Sequence, residues 1–177
     1  MNDQILIAGI GNIFLGDDAF GCEVSRELSA RTLPPKVRVI DYGIRGLDLA
    51  YALLDPWRAV ILIDALPRAE TPGTLYIFEP DLTALTAPDS GQPQIDAHNM
   101  DPVKVLRLAV SMGELPSNIY LLGCEPEDCG GEEGRMGMSP AVANAIPEAL
   151  HLIDRLLARI SDESVTELAN NSYEVNQ

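Results

Sequence analysis

The stretch Ile5-Leu6-Ile7-Ala8-Gly9-Ile10 runs without a polar residue. It has the length of a strand, and a strand with no polar alternation is one buried on both faces, as in the interior of a parallel sheet. Parallel strands need crossover connections, so the next test is whether a helix follows. After a loop at 11–18, Phe20, Val24 and Leu28 recur every four residues with Glu23, Arg26 and Glu27 between them. This spacing predicts an amphipathic helix ending near Arg31 and closed by Pro34-Pro35.

The same alternation continues outward. Val37 to Ile40 reads as a second strand ending at Asp41, and Leu47 to Leu54 as a helix stopped by Asp55-Pro56. Ala59 to Ile63 is a third, wholly apolar strand that ends on Asp64, and Thr71-Pro72-Gly73 is a turn before a fourth run, Thr74 to Phe78. The segment 80–98 is the least structured and ends in His98; loops of this length often carry function. Asp101 and Pro102 supply an N-cap and a first-turn proline for a helix to about Met112, with Val103, Leu106 and Val110 as its buried stripe.

Ile119 to Cys124 is the fifth strand. A glycine-rich loop with five acids and one arginine, Glu125 to Gly137, reads as solvated. Ser139-Pro140 then opens a long helix with Val142, Ile146, Ala149, Ile153, Leu156 and Ile160 at helical spacing. Residues 161–177, with four acids and no base, read as a frayed tail. The fold class is α/β: a three-layer α/β/α sandwich with a mostly parallel sheet of about five strands, one domain over 1–160 and an acidic polar tail over 161–177.

Twelve basic against 27 acidic residues give a formal charge of −15, which repels phosphate backbones and anionic membranes and argues against nucleic acid or membrane as partner. The N-terminus has no basic region ahead of its apolar run, and no apolar stretch approaches the roughly 20 residues a membrane helix needs. Three cysteines, Cys22, Cys124 and Cys129, form neither a disulfide framework nor a zinc knuckle. A reducing, cytoplasmic location is the expectation.

In such a fold ligands bind beyond the carboxyl ends of the strands. Residues Asn12 to Asp18, Asp41 to Gly46, Asp64 to Leu66 and the loop after the fifth strand should therefore share one rim, with His98 brought there by its long loop. Gly9 and Gly11 suggest a dinucleotide turn, but the third glycine of that motif would fall on Phe14, and Asp17 and Asp18 arrive where a phosphate needs bare N–H groups. At the start of the first helix, capping and the helix dipole would account for one of Asp17 and Asp18, and the repulsion between adjacent acids suggests that at least one of them faces a cation or a proton donor.

Asp64 ends an apolar strand, where a carboxylate must find a partner or solvent. Asp18, Asp64 and His98 on one rim make an N/O donor set for a divalent first-row metal. His151, within the last helix, reads as structural or exposed. The H-E-x-x-H and G-x-S-x-G hydrolase motifs are absent. A Cys22–His98 or Cys124–His98 dyad is open, with a core role the better reading of both thiols.

Taken in order, Gly9-x-Gly11-Asn12, Leu15-Gly16-Asp17-Asp18 with Gly21, Asp41-x-Gly43, Asp64-Ala65 and His98-Asn99-Met100 resemble the signature of the hydrogenase maturation proteases. Pro72-Gly73, Gly123, Pro126 and Gly137-x-Ser139-Pro140 extend the resemblance to about residues 5–157. It implies an α/β/α endopeptidase that removes the C-terminal extension from the precursor of a nickel–iron hydrogenase large subunit after nickel insertion. It implies further that Asp18, Asp64 and His98 contact nickel carried by the substrate rather than held by the enzyme.

Asn12, Asp17, Asp41 and Gly43 are the accompanying candidate substrate contacts. The family's Asp-Asp-Gly is Asp17-Asp18-Ala19 here, and its Asp-Gly-Gly is Asp41-Tyr42-Gly43. A nickel-sensing adaptor that cleaves nothing would use the same three ligands. Peptidyl-tRNA hydrolases also open on a strand and a Gly-x-Gly-Asn turn, but the −15 charge and the missing proline-glycine after Asn12 count against them.

Overall fold

The computed structural model describes residues 3–85, 101–131 and 133–173, with side chains as far as residue 162. The elements run β1 (Ile5–Ile10), α1 (Phe20–Ser29), β2 (Val37–Gly43), α2 (Gly46–Ala52), β3 (Ala59–Ala65), β4 (Leu75–Phe78), a single helical turn α3 (Leu82–Leu85), α4 (Pro102–Met112), β5 (Ile119–Cys124) and α5 (Pro140–Tyr173). The five strands form one sheet in the order β2-β1-β3-β5-β4, parallel except for β4, which pairs antiparallel with β5.

The interior strands β1, β3 and β5 are buried at every position, which is why their sequences do not alternate. Alternate residues serve two cores. Ile5, Ile7, Ile61, Ile63 and Leu122 pack with α1 and α5, while Leu6, Ala8, Ile10, Leu62 and Leu121 pack with α2 and α4. The architecture is the three-layer α/β/α sandwich expected.

Helix α1 sits against the sheet with no room to spare. A β-carbon on Gly21 would lie 2.2 Å from the carbonyl oxygens of both Ile10 and Ile63. Gly21→Ala must push the helix off two central strands, so it is expected to cost about 3 kcal/mol, measured by urea unfolding.

Three sequence expectations change. On α4 the buried residues are Pro102, Val105, Leu106 and Ala109, while Val103 is exposed and Val110 half-buried. Asp101 does cap the helix, accepting from Val103 N at 2.8 Å, but it is the 105/106/109 face that packs in the core on the sheet, which leaves Val103 towards solvent. Helix α5 does not stop at Ile160 but continues to Tyr173, so residues 161–173 extend the helix instead of forming the frayed tail. Their Glu, Leu and Ala are good helix formers on an already nucleated helix. Finally, residues Gly16–Ala19 form a short 3₁₀ turn ahead of α1, and neither Asp17 nor Asp18 caps that helix.

Candidate active site

The chain runs from β1 outward to β2 and then returns to β3 on the other side of β1, so the strand order reverses between β1 and β3. Such a switch point opens a crevice at the carboxyl ends of the two strands, because the connections leave in opposite directions. Asp18 follows β1 and Asp64 lies in β3 one residue before its end, and the two are close enough for the charge of Asp18 to act on Asp64.

Asp64 is 2% exposed, and its Oδ1 accepts from Ala65 N at 2.8 Å. Burial pushes its carboxyl well above the usual range; the negative charges of Asp18 and Asp101 add to the rise, and the Ala65 N–H opposes it. Asp18 is half-buried and accepts from Asn12 N at 2.7 Å through Oδ2. Burial raises its carboxyl too, against that N–H. Two desolvated acids of like charge favour a shared proton or a bound cation between them.

The neighbouring chain segment is held tightly enough to define this geometry. Gly11, at φ +136°, brings its α-carbon so close to the Asp18 backbone that a β-carbon would lie 1.8 Å from the Asp18 carbonyl oxygen. Its N–H donates to Gly43 O at 3.1 Å, which ties the loop after β1 to the end of β2. Asp41 is exposed there and accepts from Gly43 N at 2.9 Å, and Asn12 Oδ1 accepts from Phe14 N at 3.0 Å. Asn12, Asp18, Asp41, Gly43 and Asp64 thus share one rim.

Asp17 points away from it. Its side chain is fully buried and accepts from Glu127 N at 2.8 Å, Asp128 N at 2.9 Å, Ser139 N at 2.6 Å and the Ser139 hydroxyl at 2.9 Å. Burial alone would raise this carboxyl, but the donors from Asp128, Ser139 and Glu127 outweigh it and hold it below the usual range. The loop after β5 is therefore anchored to the turn that carries Asp18, rather than freely solvated. Gly16 N to Arg135 O at 2.7 Å and Arg135 N to Phe14 O at 2.8 Å reinforce the link.

Glu125 is a second anchoring carboxylate that the sequence reading passed over within its loop. Its Oε2 accepts from the Tyr76 hydroxyl at 2.6 Å and from Arg68 N at 2.7 Å, and the N–H groups of Glu70 and Ala69 also face it. Hydrogen bonding from Tyr76 leads the causes that hold this carboxyl low, while burial and the Glu125 charge push the Tyr76 phenol up to about 12. The signal was available: Glu125 ends an apolar strand just as Asp64 does. Ala69 stands at φ +60°, a strained value that this grip maintains. Glu125→Gln is expected to speed amide exchange at Arg68 to Glu70 several-fold, read by hydrogen exchange with mass spectrometry.

The thiols offer no activated nucleophile. Burial, with Asp41, Asp18 and Asp64 nearby, pushes Cys22 far up; burial raises Cys124 to about 12 and the exposed Cys129 to about 11, each with carboxylates adding to the effect. His151 lies exposed on α5 beside Glu148. His98 lies outside the described residues. Among the described residues no group of three or more His, Cys, Asp and Glu is placed to hold a metal ion, and no helix is long and apolar enough to cross a membrane.

Known proteins share both the sequence and the fold. The profile of the HycI-type hydrogenase maturation proteases matches residues 22–155. The hydrogenase expression/formation protein HupD of Rhodobacter capsulatus is 34% identical over 97% of this chain and 85% of its own. The hydrogenase 2 maturation protease of Escherichia coli is 28% identical over 92% of this chain and 93% of its own. The solved structure of the hydrogenase maturating endopeptidase HybD from Escherichia coli superposes with a TM-score of 0.68 at 27% identity, covering 90% of this chain and 93% of that one. With this match along most of its length, and the same sandwich beneath it, the chain belongs to the hydrogenase maturation protease family.

Proposed function

We propose that this endopeptidase trims the C-terminal extension from the precursor of a nickel–iron hydrogenase large subunit, and that Asp18, Asp64 and His98 read the nickel the precursor carries. The observation that carries the reading is the pair of desolvated carboxylates, Asp18 and Asp64, at the switch point of the sheet. Burying two like charges together is costly unless a cation or proton joins them. A loaded precursor brings such a cation, and an unloaded one does not.

The charge of Asp101 acts on Asp64, so the start of α4 lies close to the pair. His98 precedes Asp101 by three residues in the sequence. Carboxylate and imidazole together suit a divalent first-row ion, and nickel so held would polarise a neighbouring carbonyl as a Lewis acid. Asn12, Asp41 and Gly43 on the same rim are the proposed contacts for the substrate backbone, in a cytoplasmic enzyme.

The test is to incubate the protein with nickel-loaded and nickel-free precursor and follow the precursor by intact mass. Loss of a C-terminal segment from the loaded form alone is expected. Equal cleavage of both forms would sink the nickel-reading role, and nickel-dependent binding without cleavage would make the chain an adaptor.

A further inference from the structure

Large apolar side chains left in water are informative when they gather in one place. Six exposed ones lie on segments that are joined in sequence or by backbone hydrogen bonds: Ile13, Phe14, Ile44, Leu47, Tyr51 and Met136, with Phe14 60% and Met136 71% exposed. Backbone contacts stitch them into one band. Arg135, beside Met136, donates to Phe14 O; Gly11, two residues before Ile13, donates to Gly43 O, beside Ile44. Leu47 and Tyr51 then continue the band along one face of α2, four residues apart.

The band touches the acid pair, because Asn12, which precedes Ile13, donates its N–H to Asp18. Its charged border is acidic. Asp41, Asp48, Glu127 and Asp128 are exposed around it; Arg45 pairs with Asp48 and Arg135 with Asp128, so Asp41 and Glu127 leave the border net negative. A ligand covering this surface would gain most from apolar side chains flanked by lysine or arginine, and the −15 charge of the chain acts in the same direction.

We propose that this band is the docking surface for the precursor, taking an apolar, basic-flanked stretch of the substrate and holding the scissile segment over Asp18 and Asp64. The inference rests on the cleavage reading above. It adds that substrate affinity is set on the β1–β2–α2 side of the crevice, by residues that do no chemistry.

The experiment compares wild type with Phe14→Ser and the double variant Ile44→Asp/Leu47→Asp. These side chains are exposed, so thermal melts should match wild type. With nickel-loaded precursor, KM is expected to rise about ten-fold in the double variant while kcat holds. The wild-type KM should also rise with salt, reflecting the acidic border.

If wild type cleaves and both variants keep its KM, the docking assignment is overturned while the cleavage reading stands. If wild type binds loaded precursor without cutting it and the variants lose that binding, the docking surface stands and the cleavage reading falls. A wild-type dimer in sedimentation that the double variant splits, with KM unchanged, would assign the band to a second copy of the chain and overturn the proposal.

Discussion

Asp64→Asn is expected to lower kcat/KM on nickel-loaded precursor by about 100-fold or more, while raising the melting temperature by a few degrees at neutral pH. Both effects have one cause. The carboxylate is 2% exposed and lies near a second acid, so in the resting fold it is a cost. Asparagine keeps the shape, and its oxygen can still accept from Ala65 N, but it carries no charge for a cation to meet. Intact mass reads the first effect and differential scanning fluorimetry the second. A variant that cuts at the wild-type rate would remove Asp64 from the site, and a melt that falls steeply would show that the carboxylate holds the fold together. Asp18→Asn should lose activity similarly, with a smaller thermal gain because Asp18 is only half-buried.

Asp17→Ala is expected to act in the opposite sense, costing about 4 kcal/mol and lowering the melting temperature by roughly 10 °C. Four donors converge on this fully buried carboxylate, and alanine leaves the Ser139 N–H without its acceptor in the interior. Ser139→Ala removes one of the four bonds and should cost about 1 kcal/mol. Because the Asp17 carboxyl is held below its ordinary value, its contribution is present above about 3.8 and is lost as the pH falls through the folded value. The Asp17→Ala protein should therefore lack that part of the wild-type acid sensitivity. Urea titrations from pH 7 to pH 2 check this; a parallel fall of the two curves below about pH 4 would refute it.

The fold was legible because burial leaves a local trace. Strands covered on both sides are written as unbroken apolar runs, at Ile5 to Ile10, Ala59 to Ile63 and Ile119 to Cys124, and their order with the helices restricts the topology to few choices. The stripe of α5 was equally plain, since Val142, Ala149, Ile153, Leu156 and Ile160 are all buried. The spacing of Val103, Leu106 and Val110 does not define the buried stripe of α4, because three apolar residues at helical spacing can lie on more than one overlapping face. The packing against the sheet selects 105, 106 and 109.

Asp18 and Asp64 could be placed on one rim from sequence, because each follows an apolar strand and parallel strands end on the same side. The roles of Asp17 and Asp18 could not be separated in that way. They are adjacent, equally charged and equally close to the strand. What distinguishes them lies 110 to 122 residues away, at Glu127, Asp128 and Ser139, which draw Asp17 inward as an anchor and leave Asp18 at the crevice. Local sequence specifies strands, helices and where charges leave a strand, because those depend on neighbours in the chain. Which of two neighbouring carboxylates becomes structural depends on donors that meet it only after the loop beyond β5 has folded back, and only the tertiary structure decides that.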